Sequence, residues 1–146
     1  MPKYTLDTNI FVDALRSPSA AIGLKRFLAV SLPSTWMNAV VMMELRSGAR
    51  TPEQVTALES GLLDPFSRRG RVLVPTTRAF REAGRVLAEL AASARGRPGR
   101  QPARIVTDVL LAVSCRENGV TLVTRDTDFV TIARHVPGLQ FVPPWP

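Results

Sequence analysis

The sequence predicts an α/β protein: one domain over residues 1–146, built on a twisted, mostly parallel sheet of about five strands with helices on both faces. Three observations carry that prediction. Short β-prone runs alternate with longer runs of helical periodicity along the whole chain, the pattern of strands joined by crossover helices. At 146 residues with a hydrophobic fraction of 45%, the chain is long enough and apolar enough to bury one core. No internal repeat and no linker divides it.

The elements follow in order. Tyr4, Thr5 and Leu6 favour extended backbone and predict a first strand. Asp7-Thr8-Asn9 is a run of turn and cap residues, and Ile10, Phe11, Ala14 and Leu15 then recur at helical spacing. A second helix is predicted over Ala20–Val30, broken by Ser31-Leu32-Pro33-Ser34. Thr35-Trp36-Met37 reads as a short strand, with Trp36 in the core. Asn38 caps a helix from Ala39 to about Arg46, stopped by Ser47-Gly48. Its opening run, Ala39-Val40-Val41-Met42-Met43, is apolar all round and predicts burial, with the methionines packing as helix-face residues. Thr51-Pro52 opens a helix to about Leu63 that Asp64-Pro65 ends. Arg71–Val74 is a strand, Thr76 and Thr77 cap a helix through Ala92, and Arg95–Pro102 is a Gly/Pro loop. A helix from Ile105 to about Glu117, a strand at Val120–Thr124, a short helix at Asp128–Arg134 and a last strand at Leu139–Val142 complete the series. Trp145 lies in an irregular Pro-rich tail, free to dock on the domain or a partner.

Composition narrows the function. The net charge of +7 points to a polyanionic partner. One cysteine, Cys115, excludes an internal disulfide and a thiolate metal site, and one histidine, His135, argues against a histidine metal cage or a Ser-His-Asp triad. No apolar run reaches the ~18 residues of a membrane span, and no signal-peptide core precedes the first strand, so a cytoplasmic protein is expected. Neither a GxGxxG nor a GxxxxGK[ST] phosphate loop occurs.

The chain holds twelve acids. Most lie near arginines on polar faces. Asp7, Glu44, Asp108 and Asp126 instead sit within or directly after apolar runs, and buried carboxylates are costly unless paired or bound to a cation. Asp7 and Asp126 both follow strands, placing them at the carboxyl edge of a parallel sheet, where ligands bind. Asp108 is on the helix before the Asp126 strand, with small Ala112 one turn on. Four converging carboxylates suit a hard divalent cation, Mg²⁺ or Mn²⁺, which lowers the pKa of bound water and polarises a phosphoryl oxygen.

These residues resemble the PIN-domain family, and within it the VapC toxins of bacterial toxin–antitoxin pairs. Leu6-Asp7-Thr8-Asn9, Met43-Glu44-Leu45-Arg46-Ser47-Gly48-Ala49, Thr107-Asp108-Val109-Leu110-Leu111-Ala112 and Thr121–Phe129 match that family's four motifs in order. The resemblance implies a metal-dependent endoribonuclease of about this fold, with Asp7, Glu44, Asp108 and Asp126 as catalytic metal-site residues. Asp128 is a further ligand, a water-mediated one, or a cap for its own helix. Asn9 and Thr124 are expected to orient carboxylates. The resemblance also implies a homodimer and a cognate antitoxin that covers the site.

Arg95, Arg97, Arg100 and Arg104 flank the Gly/Pro loop before the Asp108 helix, and are either a solvated charge run or an RNA-backbone clamp. Cys115 reads as a small buried hydrophobe and His135 as structural. The rival function is a non-catalytic module that binds RNA or protein, although all four acids are retained. A phosphate-accepting receiver domain is disfavoured, because Lys3 and Lys25, both in the N-terminal half, are the only lysines available to its site.

Overall fold

A computed structural model describes residues 2–93 and 103–145, and for Ala103 the backbone alone. Five short strands form at the predicted places: β1 (Tyr4–Leu6), β2 (Thr35–Asn38), β3 (Val72–Leu73), β4 (Thr121–Val123) and β5 (Phe141–Val142). The last three are shorter than the sequence predicts, although Arg71, Gln140 and Thr124 at their ends still bond the neighbouring strands. All neighbouring pairs are parallel, in the order β3-β2-β1-β4-β5. Tyr4 lies opposite both Thr35 and Thr121, so β1 is the central strand.

This order has a functional consequence. From β1 the chain steps outward through β2 to β3, then returns past β1 to β4 and steps the other way to β5. Right-handed crossovers therefore place the two sets of helices on opposite faces. The carboxyl ends of β1 and β4 are where the direction reverses, the crevice that open α/β sheets use for ligands.

Two helices, α1 (Thr8–Arg16) and α2 (Pro18–Ser31), connect β1 to β2. α2 starts two residues earlier than its apolar spacing predicts, because Ser17 accepts from the Ala20 N–H and Pro18 takes the first position. Next comes α3 (Ala39–Gly48), capped by Asn38 as expected. The prediction of all-round burial at its start is corrected: Val40 and Val41 are buried, but Met43 is 56% exposed. Only one side of α3 faces the core. Met37 packs in the core from β2. Trp36 is half-buried, with the Lys3 ammonium 5.4 Å from its ring centroid, rather than a core residue.

The expected stop at Asp64-Pro65 is also corrected. After α4 (Pro52–Leu58) the chain makes one wide turn over Glu59–Leu63 and continues into α5 (Asp64–Arg68). Pro65 stands in the first turn of α5, where a proline is tolerated. The antiparallel pair α6 (Thr77–Ser93) and α7 (Ala103–Asn118) leads to β4, and α8 (Asp128–Ala133) to β5. The core is contiguous, with Leu6, Met37, Val41, Leu111, Leu122 and Phe129 essentially fully buried.

The tail docks on the domain. Trp145 stacks on Phe27 of α2 at 5.1 Å, and Phe27 meets Tyr4 of β1 edge-on at 5.4 Å. Gly23 makes the docking possible, since a Cβ there would lie 1.9 Å from Trp145 Nε1. Gly23→Ala should therefore expel the indole and destabilise the fold by about 1–3 kcal/mol. In a Trp36→Phe background, the Trp145 emission should shift to the red; an unshifted spectrum would contradict the docking.

Candidate metal centre

Asp7 follows β1 directly and caps α1. Its Oδ1 accepts from the Thr8 N–H at 2.7 Å. Its Oδ2 accepts from the Thr124 hydroxyl at 2.7 Å and the Asn9 amide at 3.2 Å. The Asn9 side chain also accepts from the Arg125 N–H at 3.3 Å, and the Thr124 hydroxyl accepts from the Asp126 N–H at 3.0 Å. One network thus ties the end of β1 to the loop after β4.

Glu44 reaches the same edge from α3. Thr8 Oγ1 donates to its Oε1 at 2.8 Å and Thr107 Oγ1 to its Oε2 at 3.4 Å. Glu44 is half-buried rather than enclosed. The placement of α3 is fixed at its start, where Asn38 Nδ2 donates to Ser114 Oγ of α7 at 2.9 Å in the core. Asp108, on α7, is 5% exposed, and its Oδ2 is buried with no hydrogen-bond partner among the described residues. Asp126 lies in the loop beyond β4, three residues after the strand rather than at its end. The Asp128 N–H donates to Asp126 Oδ1 at 2.9 Å, folding the loop back on itself.

The structure divides the predicted acids into two tiers. Asp108, Asp126 and Asp128 each offer an oxygen within 4.8 Å of the others. Asp7 and Glu44 stand beside this triple, close enough to raise the Asp108 pKa, with their own oxygens engaged by Thr8, Asn9, Thr107 and Thr124. Arg104 Nη2 lies 3.3 Å from Asp128 Oδ2. Arg95, Arg97 and Arg100 lie outside the described residues.

Sequence reasoning passed over three contributors. Arg125, next to Asp126, makes a two-pronged ion pair with Asp13 of α1 at 2.6 and 2.8 Å. Thr8 and Thr107 hold Glu44. Each threonine adjoins a predicted acid in sequence, which is the one signal that could have found them.

The electrostatics follow from crowding. Burial raises the Asp7 pKa first, with Glu44 and Asp126 adding to the shift, while the bonds from Thr124 and Thr8 oppose it. Asp108 is raised to about 7, first by burial, then by Asp7, Asp126 and Glu44, against a smaller lowering by Arg104. A pocket of carboxylate oxygens, one of them buried and without a donor, fits a hard divalent cation. Elsewhere, Cys115 is fully buried and its thiol pushed up by that burial, hence inert. His135 Nδ1 pairs with Glu89 at 2.8 Å in a surface network with Arg85, a structural role.

The PIN-domain family model matches residues 4–135, and the chain belongs to the PIN-domain family. No curated protein matches it. Among solved structures it is similar to FitAcB from Neisseria gonorrhoeae (21% identity, TM-score 0.70, 97% of this chain and 98% of that one). It is similar to DNA-bound VapBC from Salmonella typhimurium (21%, 0.68, 98% of each chain). VapBC2 from Rickettsia felis, bound to a DNA fragment from its promoter, is a third (22%, 0.65, 98% of each). At these identities the likeness is one of fold. No helix among the described residues is long and apolar enough to cross a membrane.

The raised Asp108 pKa fixes the sign of a pH effect. The folded value of about 7 exceeds the ordinary 3.8, so between those values the native state holds a proton that the unfolded chain has lost. Stability of the metal-free protein should therefore fall as pH rises from about 4 to about 7, by on the order of 1–4 kcal/mol. Asp108→Asn should flatten the fall and melt higher than the parent at pH 8 in EDTA. Urea titrations across that range would show it; equal slopes for the two proteins would refute it.

Proposed function

We propose that this PIN-domain protein is a metal-dependent endoribonuclease, the toxin of a type II toxin–antitoxin pair, hydrolysing RNA phosphodiester bonds. One observation carries the reading. At the ligand-binding edge of the sheet, Asp108 offers an oxygen within 4.8 Å of oxygens of Asp126 and Asp128, and its Oδ2 is buried with no donor among the described residues. Neither a capping role nor arginine pairing accounts for that Asp108 oxygen.

Asp108, Asp126 and Asp128 would hold Mg²⁺, or Mn²⁺ in its place, with Asp7 and Glu44 completing the negative field around it. When bound, the cation supplies a water of lowered pKa and polarises the phosphoryl oxygen. The remaining work belongs to the chain. Thr124, Asn9 and the Thr8 N–H hold Asp7 in one rotamer, and Thr8 and Thr107 do the same for Glu44. Arg104, at the rim, together with Arg95, Arg97 and Arg100, supplies positive charge for the RNA backbone on a protein of net charge +7. The resemblance of the motifs to VapC toxins, and the VapBC and FitAB structural neighbours, support a cognate antitoxin as partner and a homodimeric assembly in the cytoplasm.

Labelled RNA incubated with the protein should be cut in Mg²⁺ and left intact in EDTA. Asp7→Asn, Glu44→Gln, Asp108→Asn and Asp126→Asn should each lose at least about 100-fold in rate while remaining folded. Asn9→Ala and Thr124→Ala should lose roughly 10–100-fold, the usual cost of an outer orienting partner. If the parent binds RNA in Mg²⁺ without cutting it, the protein is a non-catalytic binding module. Retention of full cleavage by all four acid variants would remove the metal-site reading.

A further inference from the structure

Arg104 has two facts against a purely structural role. It is 70% exposed on its side chain, and the acid it touches, Asp128, belongs to the carboxylate triple. A single contact of 3.3 Å between groups this exposed is a weak tether. Arg125 is the useful contrast: it adjoins Asp126 in sequence, but two short bonds commit its guanidinium to Asp13. Arg104 and Asp108 are four residues apart on α7 and so share a helix face. The Thr107 hydroxyl has one proton, which lies within reach of the Arg104 carbonyl at 3.0 Å and of Glu44 Oε2 at 3.4 Å; donated to the carbonyl, it steadies the backbone that carries Arg104.

Resting on the nuclease reading above, we propose that Arg104 alternates between two partners. In the metal-free protein its guanidinium is the counter-ion of Asp128. When a divalent cation is held by Asp108, Asp126 and Asp128, Asp128 is claimed and like-charge repulsion drives the guanidinium off. It then binds a phosphate of the RNA lying across the site. The guanidinium fork matches a phosphate as well as a carboxylate, so the same group serves both states. Cation and RNA thereby bind cooperatively through one side chain: each removes a competitor of the other.

The test uses the full-length chain and Mn²⁺ as probe. Mn²⁺ affinity of the RNA-free protein, read by electron paramagnetic resonance, should tighten roughly two- to five-fold in Arg104→Gln, the scale of losing one exposed ion pair. Arg125→Gln should tighten it less. In an Asp7→Asn background, which keeps the RNA uncut, Arg104→Gln should weaken RNA binding more in Mn²⁺ than in EDTA. The slope of log affinity against log salt should drop by roughly 0.7 in Mn²⁺, one phosphate contact on a single strand. Equal tightening by Arg125→Gln would show a general charge effect and overturn the proposal, as would an equal RNA penalty with and without Mn²⁺. A parent that binds no Mn²⁺ would overturn the nuclease reading as well. Normal Mn²⁺ binding unaffected by Arg104→Gln would overturn the alternation alone.

Discussion

The carboxylate of Asp7 is held by the Thr8 N–H and the Asn9 amide beside it and by the Thr124 hydroxyl from across the chain, and this small network sets the geometry of the sheet edge. Asp7 N–H continues the ladder to Val123 O at 2.9 Å, while its side chain reaches Thr124 beyond the same strand. The central strand, the start of α1 and the loop that carries Asp126 and Asp128 are consequently one rigid corner. A carboxylate buried for its own sake would be a net cost. Here the cost is offset by three donors at Asp7, while at Asp108 one buried oxygen has no donor among the described residues.

The helices serve that corner from both sides. Asn38 caps α3 with its carbonyl and grips Ser114 of α7 with its amide, so Glu44 and Asp108 cannot drift apart independently. Glu117, at the end of α7, in turn bonds the Thr76 N–H and hydroxyl ahead of α6. Polar groups in the core are few, and those present mostly join an element bearing one acid to an element bearing another.

Much of this was legible in the sequence because its signals are local. The alternation of strands and helices gave the sheet, and Asp7-Thr8-Asn9 announced a capped turn by composition alone. What escaped was long-range or register-dependent. Met43 continues an apolar run and reads as enclosed, yet α3 turns it to the exposed side, while Glu44 is half-buried at the sheet edge. Asp128 was open in the sequence between metal ligand and helix cap, and the fold of the loop is what brings one of its oxygens within 4.8 Å of those of Asp108 and Asp126. The pairing of Arg125 with Asp13 spans 112 positions and leaves no trace in either residue's neighbourhood. Asp64-Pro65 misled because the wide turn before it, not the proline, sets the local helix register.

The order of the acids along the chain bears on how the protein is made. Asp7 leaves the ribosome first, and Asp126 and Asp128 emerge only when most of the domain is already outside. The loop that carries them is itself supported from beyond, since Thr124 N–H donates to Val142 O at 3.1 Å. A nascent chain therefore lacks an assembled centre for nearly the whole of its synthesis. Competence arrives in a single late event, when β5 docks. That ordering leaves the carboxylate edge incomplete until the last strand is in place.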